Sequence, residues 1–126
     1  MQREHKRIAG SVGAEIDAGA NASVLALDRD ALAEAYRDTG ALFLRGFHAT
    51  LEEFERLSES LMTGLVTNRG AAFSYGPFKR STVNGNATVM TATGSRQDFP
   101  LPLHGEFYYF NHAPRMLWFY CEKPAD

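Results

Sequence analysis

Two residues in the stretch LPLHGEFYY, residues 101–109, have the types and spacing that suit a metal site. His104 and Glu106 are separated by one glycine, and on an extended backbone alternate side chains share a face. An imidazole nitrogen and a carboxylate oxygen aimed at one point are two of the three ligands of a two-histidine, one-carboxylate site, which leaves three positions open. Gly105 lets the backbone bend beside the ion. The pattern predicts an iron(II) site with His104 and Glu106 as ligands.

Alone, a His-x-Glu pair is a weak signal, because a surface histidine beside a solvated glutamate is the commoner arrangement. The flanks favour the metal site here, since residues 100–103 and 107–110 are apolar or aromatic. A carboxylate in such surroundings needs a cation or a hydrogen-bond partner, because burying it unpaired is costly. His112 is an alternative second histidine, but the turn signal of residues 111–114 favours a surface position. Cys121, inside an apolar run, is predicted to be a packed core thiol.

Two helices are predicted in the first half of the chain. Asp28 is placed to cap a helix that runs to about Asp38, and Gly40 to close it in a left-handed conformation. Thr50 and Glu53 form a capping-box signature for a second helix, which we expect to end at Gly64. A strand is predicted at 41–47, between the helices, and a weaker one at 8–16. The predicted order is strand, helix, strand, helix.

Beyond Gly64 the sequence is rich in turn residues and predicts strands rather than helices. Residues 87–93 alternate in polarity and carry β-branched residues, which predicts a strand, while 94–98 form a loop and 101–103 are extended. The run 115–121 is almost continuously apolar, which predicts a strand buried on both faces. Helices followed by strands indicate an α+β fold with a sandwich or barrel core that begins near residue 80.

The residues around the metal pair resemble the first metal-binding motif of the TauD/TfdA (taurine dioxygenase) superfamily, and are most similar to its branch that includes clavaminate synthase. That motif has His-x-Asp/Glu, a nearby Tyr, a Pro, and a strand that ends in Phe-Tyr-Cys. The segment 40–47 (GALFLRGF) also resembles the strand after the family's first helix, so the likeness covers most of the chain. The matching residues of the motif are His104-Gly105-Glu106, Tyr109, Pro114, Trp118-Phe119-Tyr120-Cys121 and Pro124-Ala125.

The resemblance implies a double-stranded β-helix (jelly-roll) core with flanking helices, and an iron(II)- and 2-oxoglutarate-dependent dioxygenase. His104 and Glu106 would bind the iron, and 2-oxoglutarate and dioxygen would be cosubstrates. A carboxylate at Glu106 argues against the related halogenases, so we expect hydroxylation of a small polar substrate such as an amino acid or a derivative. The resemblance also indicates candidate residues of the substrate pocket, which are Asn84, Arg96, Gln97 and Tyr108.

Three parts of the family's site have no counterpart in this sequence: the distal histidine, the arginine that pairs with 2-oxoglutarate, and a supporting threonine. The chain also stops soon after the apolar run 116–121. We therefore expect residues 1–126 to form one domain that is the N-terminal half of an oxygenase, with activity dependent on the missing C-terminal half. Two alternatives remain: a non-catalytic fragment or interaction domain with an incomplete metal site, and a cupin-like metalloprotein that does not use 2-oxoglutarate.

Composition restricts the class of partner. The net charge is −2 and no run of Lys and Arg occurs, so neither nucleic acid nor an anionic membrane is an expected partner. One cysteine excludes an internal disulfide and favours a reducing compartment. The polar start, residues 1–6, lacks the apolar stretch of a signal peptide, which predicts a soluble, cytoplasmic protein.

Overall fold

The computed structural model describes residues 6–8, 10, 12–19, 22–64, 80–83, 85–92, 102–106 and 114–123. The described residues form a mixed α and β structure with two α-helices and two small sheets. The chain divides into two compact units, Met1–Thr63 with Glu122–Asp126, and Gly64–Cys121. These are called the first unit and the second unit below.

The first unit has a three-stranded sheet in the order β1-β2-β3, with β1 at Lys6–Arg7, β2 at Ala14–Asp17 and β3 at Leu42–Arg45. β1 is antiparallel to β2, whereas β2 and β3 are parallel. The single strand predicted at 8–16 is therefore two short strands joined by a turn. Gly10, with φ +73°, takes the left-handed conformation that this turn requires.

Two helices complete the first unit, α1 at Arg29–Thr39 and α2 at Leu51–Leu61. Both predicted N-terminal caps are confirmed: Asp28 accepts a hydrogen bond from the Ala31 N–H, and Thr50 forms the full capping box with Glu53. Gly40 closes α1 with φ +76°, as predicted. α2 ends before Gly64, at Leu61, because the backbone of the next residue is already extended. Neither α-helix in the described part of the chain is long and apolar enough to cross a membrane.

The packing of α1 explains the parallel strands. α1 is the crossover from β2 to β3 and packs on both, while α2 packs on α1 and on a short 3₁₀ turn at Val24–Ala26. Every buried apolar residue in the described part of the chain belongs to this first unit: Ala14, Ile16, Ala18, Val24, Leu27, Leu32, Ala35, Phe47 and Leu57. This core is therefore contributed by β2, by both helices and by the loops beside them.

The second unit contains one hairpin among its described residues, with β4 at Thr82–Val83 and β5 at Asn86–Met90. The two strands are antiparallel, and their register shifts between Thr82 and Val83. Gly85, with φ +73°, lies in the turn. The strand predicted at 87–93 is thus confirmed in type, but it begins one residue earlier and ends at Met90.

The strand predicted at 115–121 is wrong, because the structure assigns no strand to these residues. Burial alternates along the segment: Met116, Trp118 and Tyr120 are half-buried, while Leu117 is 49% and Phe119 78% exposed. This period of two is the signature of an extended segment covered on one face. Burial on both faces, and the buried thiol at Cys121, are likewise wrong, since Cys121 is exposed. An apolar run is buried on both faces only if a neighbour covers each face, and here the face with Leu117 and Phe119 stays exposed.

Candidate metal centre

The two residues predicted to bind a metal ion lie side by side in the second unit. His104 Nε2 is 3.9 Å from Glu106 Oε2, so the imidazole and the carboxylate face a common point. Glu106 lies in a turn, and its side chain is only 16% exposed, whereas that of His104 is 44% exposed. The pair therefore combines a mostly buried carboxylate with an imidazole that solvent still reaches.

A backbone carbonyl fixes the orientation of the histidine ring. His104 Nδ1 lies 2.9 Å from the Pro102 carbonyl oxygen. A carbonyl oxygen can only accept, so Nδ1 carries the proton and donates it. In the neutral imidazole, Nε2 then presents its lone pair towards Glu106. Histidines that bind metals usually have this arrangement, in which the second ring nitrogen donates to a carbonyl or a carboxylate.

Glu106 also forms an ion pair that the sequence did not predict. Arg80 Nη1 lies 3.2 Å from Glu106 Oε1, and Nη2 donates a longer hydrogen bond of 3.4 Å to Oε2. The Arg80 side chain is 29% exposed, so solvent screens this pair less than a surface salt bridge. Both carboxylate oxygens therefore have a cationic neighbour.

The β4–β5 hairpin positions Arg80. Arg80 directly precedes Ser81, whose carbonyl accepts a 2.9 Å hydrogen bond from the Thr91 N–H. The Ser81 N–H donates in return to the Thr91 hydroxyl at 3.2 Å. These two hydrogen bonds close the open end of the hairpin, so Arg80 extends from a fixed backbone towards the carboxylate.

The donor types of the pair suit a shared metal ion. Two donor atoms bonded at about 2.1 Å to neighbouring positions of one octahedral ion lie roughly 3.0 Å apart. Nε2 and Oε2 are 3.9 Å apart, so the two side chains would close by about 0.9 Å to share an ion. With a neutral imidazole, both atoms are hydrogen-bond acceptors and share no proton, so a cation between them satisfies both. Imidazole nitrogen with carboxylate oxygen is the donor set of non-haem iron(II) sites.

Within the described ranges, no group of three or more His, Cys, Asp or Glu side chains is placed to hold a metal ion. Four predicted pocket residues lie outside the described residues, as does His112, so their predicted roles stay predictions. Those four are Asn84, Arg96, Gln97 and Tyr108. His48, which had no ligand-like neighbours in the sequence, is exposed in the first unit.

Arg80 is the residue at this site that sequence reasoning missed. The apolar flanks of Glu106 did predict a cation or hydrogen-bond partner for its carboxylate. Nothing in the sequence indicates which cation, because Arg80 lies 26 residues away and is followed by ordinary turn and strand residues. The sequence around Glu106 therefore predicted that its carboxylate needs a partner, but it did not identify Arg80 as that partner.

Comparison with known proteins adds one match. A family model described as "Taurine catabolism dioxygenase TauD, TfdA family" matches residues 4–126. Searches of curated proteins and of solved structures found no match. The family match covers nearly the whole chain, including both units and the His104–Glu106 pair.

Proposed function

The chain belongs to the TauD/TfdA dioxygenase family, and from this premise we propose that it acts as an iron(II)- and 2-oxoglutarate-dependent oxygenase. His104 and Glu106 would be two protein ligands of the iron. Residues 1–126 would form the N-terminal portion of one oxygenase domain with a jelly-roll core. The proposed reaction is hydroxylation of a small polar substrate, such as an amino acid or a derivative, with dioxygen as oxidant.

One observation carries the proposal: His104 Nε2 and Glu106 Oε2 converge to 3.9 Å while the Pro102 carbonyl holds the other ring nitrogen. A surface histidine beside a solvated glutamate would need neither the fixed ring nor the buried carboxylate. The family match supports the proposed class of reaction, because the family's members are dioxygenases.

The residues of this chain would bind and orient, and the metal would supply the redox chemistry that no side chain provides. Pro102 keeps the His104 ring turned so that Nε2 is available. Glu106 contributes the negative charge that favours a divalent cation over water. The partial burial of Glu106 lowers the local dielectric constant, which strengthens its attraction for the ion. A third protein ligand and the group that binds 2-oxoglutarate would come from outside the described residues.

An anaerobic titration tests the metal site. The full natural chain that contains these residues is titrated with iron(II) and 2-oxoglutarate, and the weak visible absorption band of the iron–cosubstrate complex is recorded. We expect a saturable band, and its loss in His104→Ala. The matched control is His48→Asn, which removes an exposed histidine while tolerating its left-handed backbone, φ +48°. The control should keep the band.

Turnover separates the proposed reaction from its rivals. Candidate amino acids are incubated with the iron-loaded protein, 2-oxoglutarate and oxygen, and succinate is measured. Substrate-dependent succinate supports the oxygenase. A metal band in the wild type that persists in His104→Ala would place the ion elsewhere and contradict the assignment of ligands. Oxidation of the substrate without succinate would instead favour a cupin-like enzyme that does not use 2-oxoglutarate.

A further inference from the structure

We propose that Arg80 is a positioning residue of this metal centre: it is the resident counter-ion of Glu106, it contacts both carboxylate oxygens, and a metal ion at Oε2 would displace its hydrogen bond there while the contact at Oε1 stays. The inference rests on the proposed function, because it assigns Arg80 a role towards the ion that His104 and Glu106 would share.

The two oxygens of Glu106 have different surroundings. Oε1 lies 3.2 Å from Arg80 Nη1 in an ion-pair contact. Oε2 accepts a 3.4 Å hydrogen bond from Nη2, and it is also the oxygen that faces His104. A cation between His104 and Glu106 would therefore displace the hydrogen bond at Oε2, whereas the ion-pair contact at Oε1 is away from the ion and can stay.

The Arg80 contact at Oε1 affects how Glu106 can coordinate a metal ion. A guanidinium has only donors, set in a rigid planar fork, so Arg80 at Oε1 competes directly with a metal ion for that oxygen. Glu106 would then bind through one oxygen rather than two. A ligand that occupies one position leaves more of the coordination sphere open, as an iron site that takes a cosubstrate and dioxygen requires.

The charge of Arg80 decides the sign of its effect on affinity. Neutral hydrogen-bond partners of metal ligands usually strengthen binding. Arg80 differs, because its positive charge stabilises the metal-free carboxylate and repels a divalent cation at the neighbouring oxygen. Both effects favour the metal-free state. We therefore expect removal of the charge to tighten metal binding by about tenfold.

The test uses the full natural chain with Mn(II) as the probe, because it binds oxygen and nitrogen ligands without oxidation. Calorimetric titration gives the dissociation constant, and thermal unfolding without metal gives Tm. Arg80→Gln should lower the metal-free Tm, because it leaves a mostly buried carboxylate unpaired, and should bind Mn(II) about tenfold more tightly. Arg80→Lys keeps the positive charge that sets the metal affinity, and should bind Mn(II) within about threefold of the wild type.

A second background separates the ion pair from general effects on folding. In Glu106→Gln, replacing Arg80 with Gln should no longer lower the metal-free Tm, since the carboxylate is already gone. A purely structural arginine would lower Tm in both backgrounds and leave Mn(II) affinity unchanged.

Three outcomes would overturn the role of Arg80 while leaving the proposed function intact. They are unchanged or weaker Mn(II) binding in Arg80→Gln, a loss of tenfold or more in Arg80→Lys, and a Tm decrease that is the same in both backgrounds. Each counts only if the wild type binds Mn(II) and His104→Ala does not. If Arg80→Gln does not fold, the Mn(II) affinity of Arg80→Lys alone decides the outcome. A wild type whose Mn(II) binding is unaffected by His104→Ala overturns the proposed function and this inference together.

Discussion

Two glutamates, one in each unit, are held in opposite ways. Glu53, at the start of α2, accepts hydrogen bonds from neutral groups: the Ser23 hydroxyl at 2.7 Å and the Thr50 N–H at 3.0 Å. Glu106 is mostly buried, and its neighbours are the Arg80 guanidinium and the His104 ring. Glu53 therefore links a side-chain hydroxyl to a backbone N–H, whereas Glu106 lies beside a charged guanidinium and an imidazole.

The difference indicates which carboxylate can do chemistry. Neutral donors stabilise a carboxylate in one fixed geometry, and a metal ion would have to break those hydrogen bonds in order to bind. A cationic neighbour neutralises the negative charge of a carboxylate, and a second cation can take over that role. Hence Glu53 suits a structural role, whereas Glu106 keeps one oxygen 3.9 Å from an imidazole nitrogen, as the proposed metal site requires.

The largest expected effect separates the two glutamates by metal binding. Glu106→Gln removes the charged ligand and should weaken iron(II) binding by roughly a hundredfold or more, equivalent to about 2.7 kcal/mol. Glu53→Gln, the matched substitution in the first unit, should leave the affinity unchanged. Anaerobic titration of both variants checks this. Equal losses of iron(II) affinity in both variants would show that Glu106 does not differ from Glu53 in its effect on metal binding.

A smaller effect should appear in stability. Thr50→Ala removes the hydroxyl that accepts from the Glu53 N–H at 3.2 Å, and should lower the free energy of unfolding by about 1 kcal/mol. Thr50→Ser keeps the hydroxyl and should stay within a few tenths of the wild type. Urea unfolding measures both variants. A Thr50→Ala protein as stable as the wild type would mean that this cap contributes nothing to the fold.

Features that depend on residues close together in the chain could be predicted from the sequence, and features that depend on distant pairing could not. The caps at Asp28 and Thr50 were predicted because each depends on residues three positions apart. The bounds of β2 and β3 could not be, because they depend on parallel pairing across the intervening helix. Gly46, with φ +72°, ends the second of these strands two residues earlier than the apolar pattern suggests.

The candidate site shows the same limit. The proximity of His104 and Glu106 was predicted from their spacing, although Glu106 lies in a turn and not on the extended backbone that the prediction assumed. Arg80 was not, since a partner 26 residues away is set by the hairpin and not by local spacing. The prediction for 115–121 was wrong for a related reason: an apolar sequence shows what a segment can bury, and its neighbours determine what is buried.

The smallest expected effect is a pH dependence specific to Glu53. The Ser23 hydroxyl, and next the Thr50 N–H, stabilise the charged form and hold the pKa of Glu53 below its ordinary value of 4.5. The contribution of Glu53 to stability is therefore complete above that value and is lost as the pH falls through the lowered pKa. Gln at this position can still complete a capping box but does not titrate. The stability of the wild type relative to Glu53→Gln should thus decrease below pH 4.5, by a small amount because water screens the exposed carboxylate. Urea unfolding of both proteins across this range measures the difference, and groups common to both cancel. A difference that stays constant or grows towards acid would show that these neutral donors do not favour the charged carboxylate.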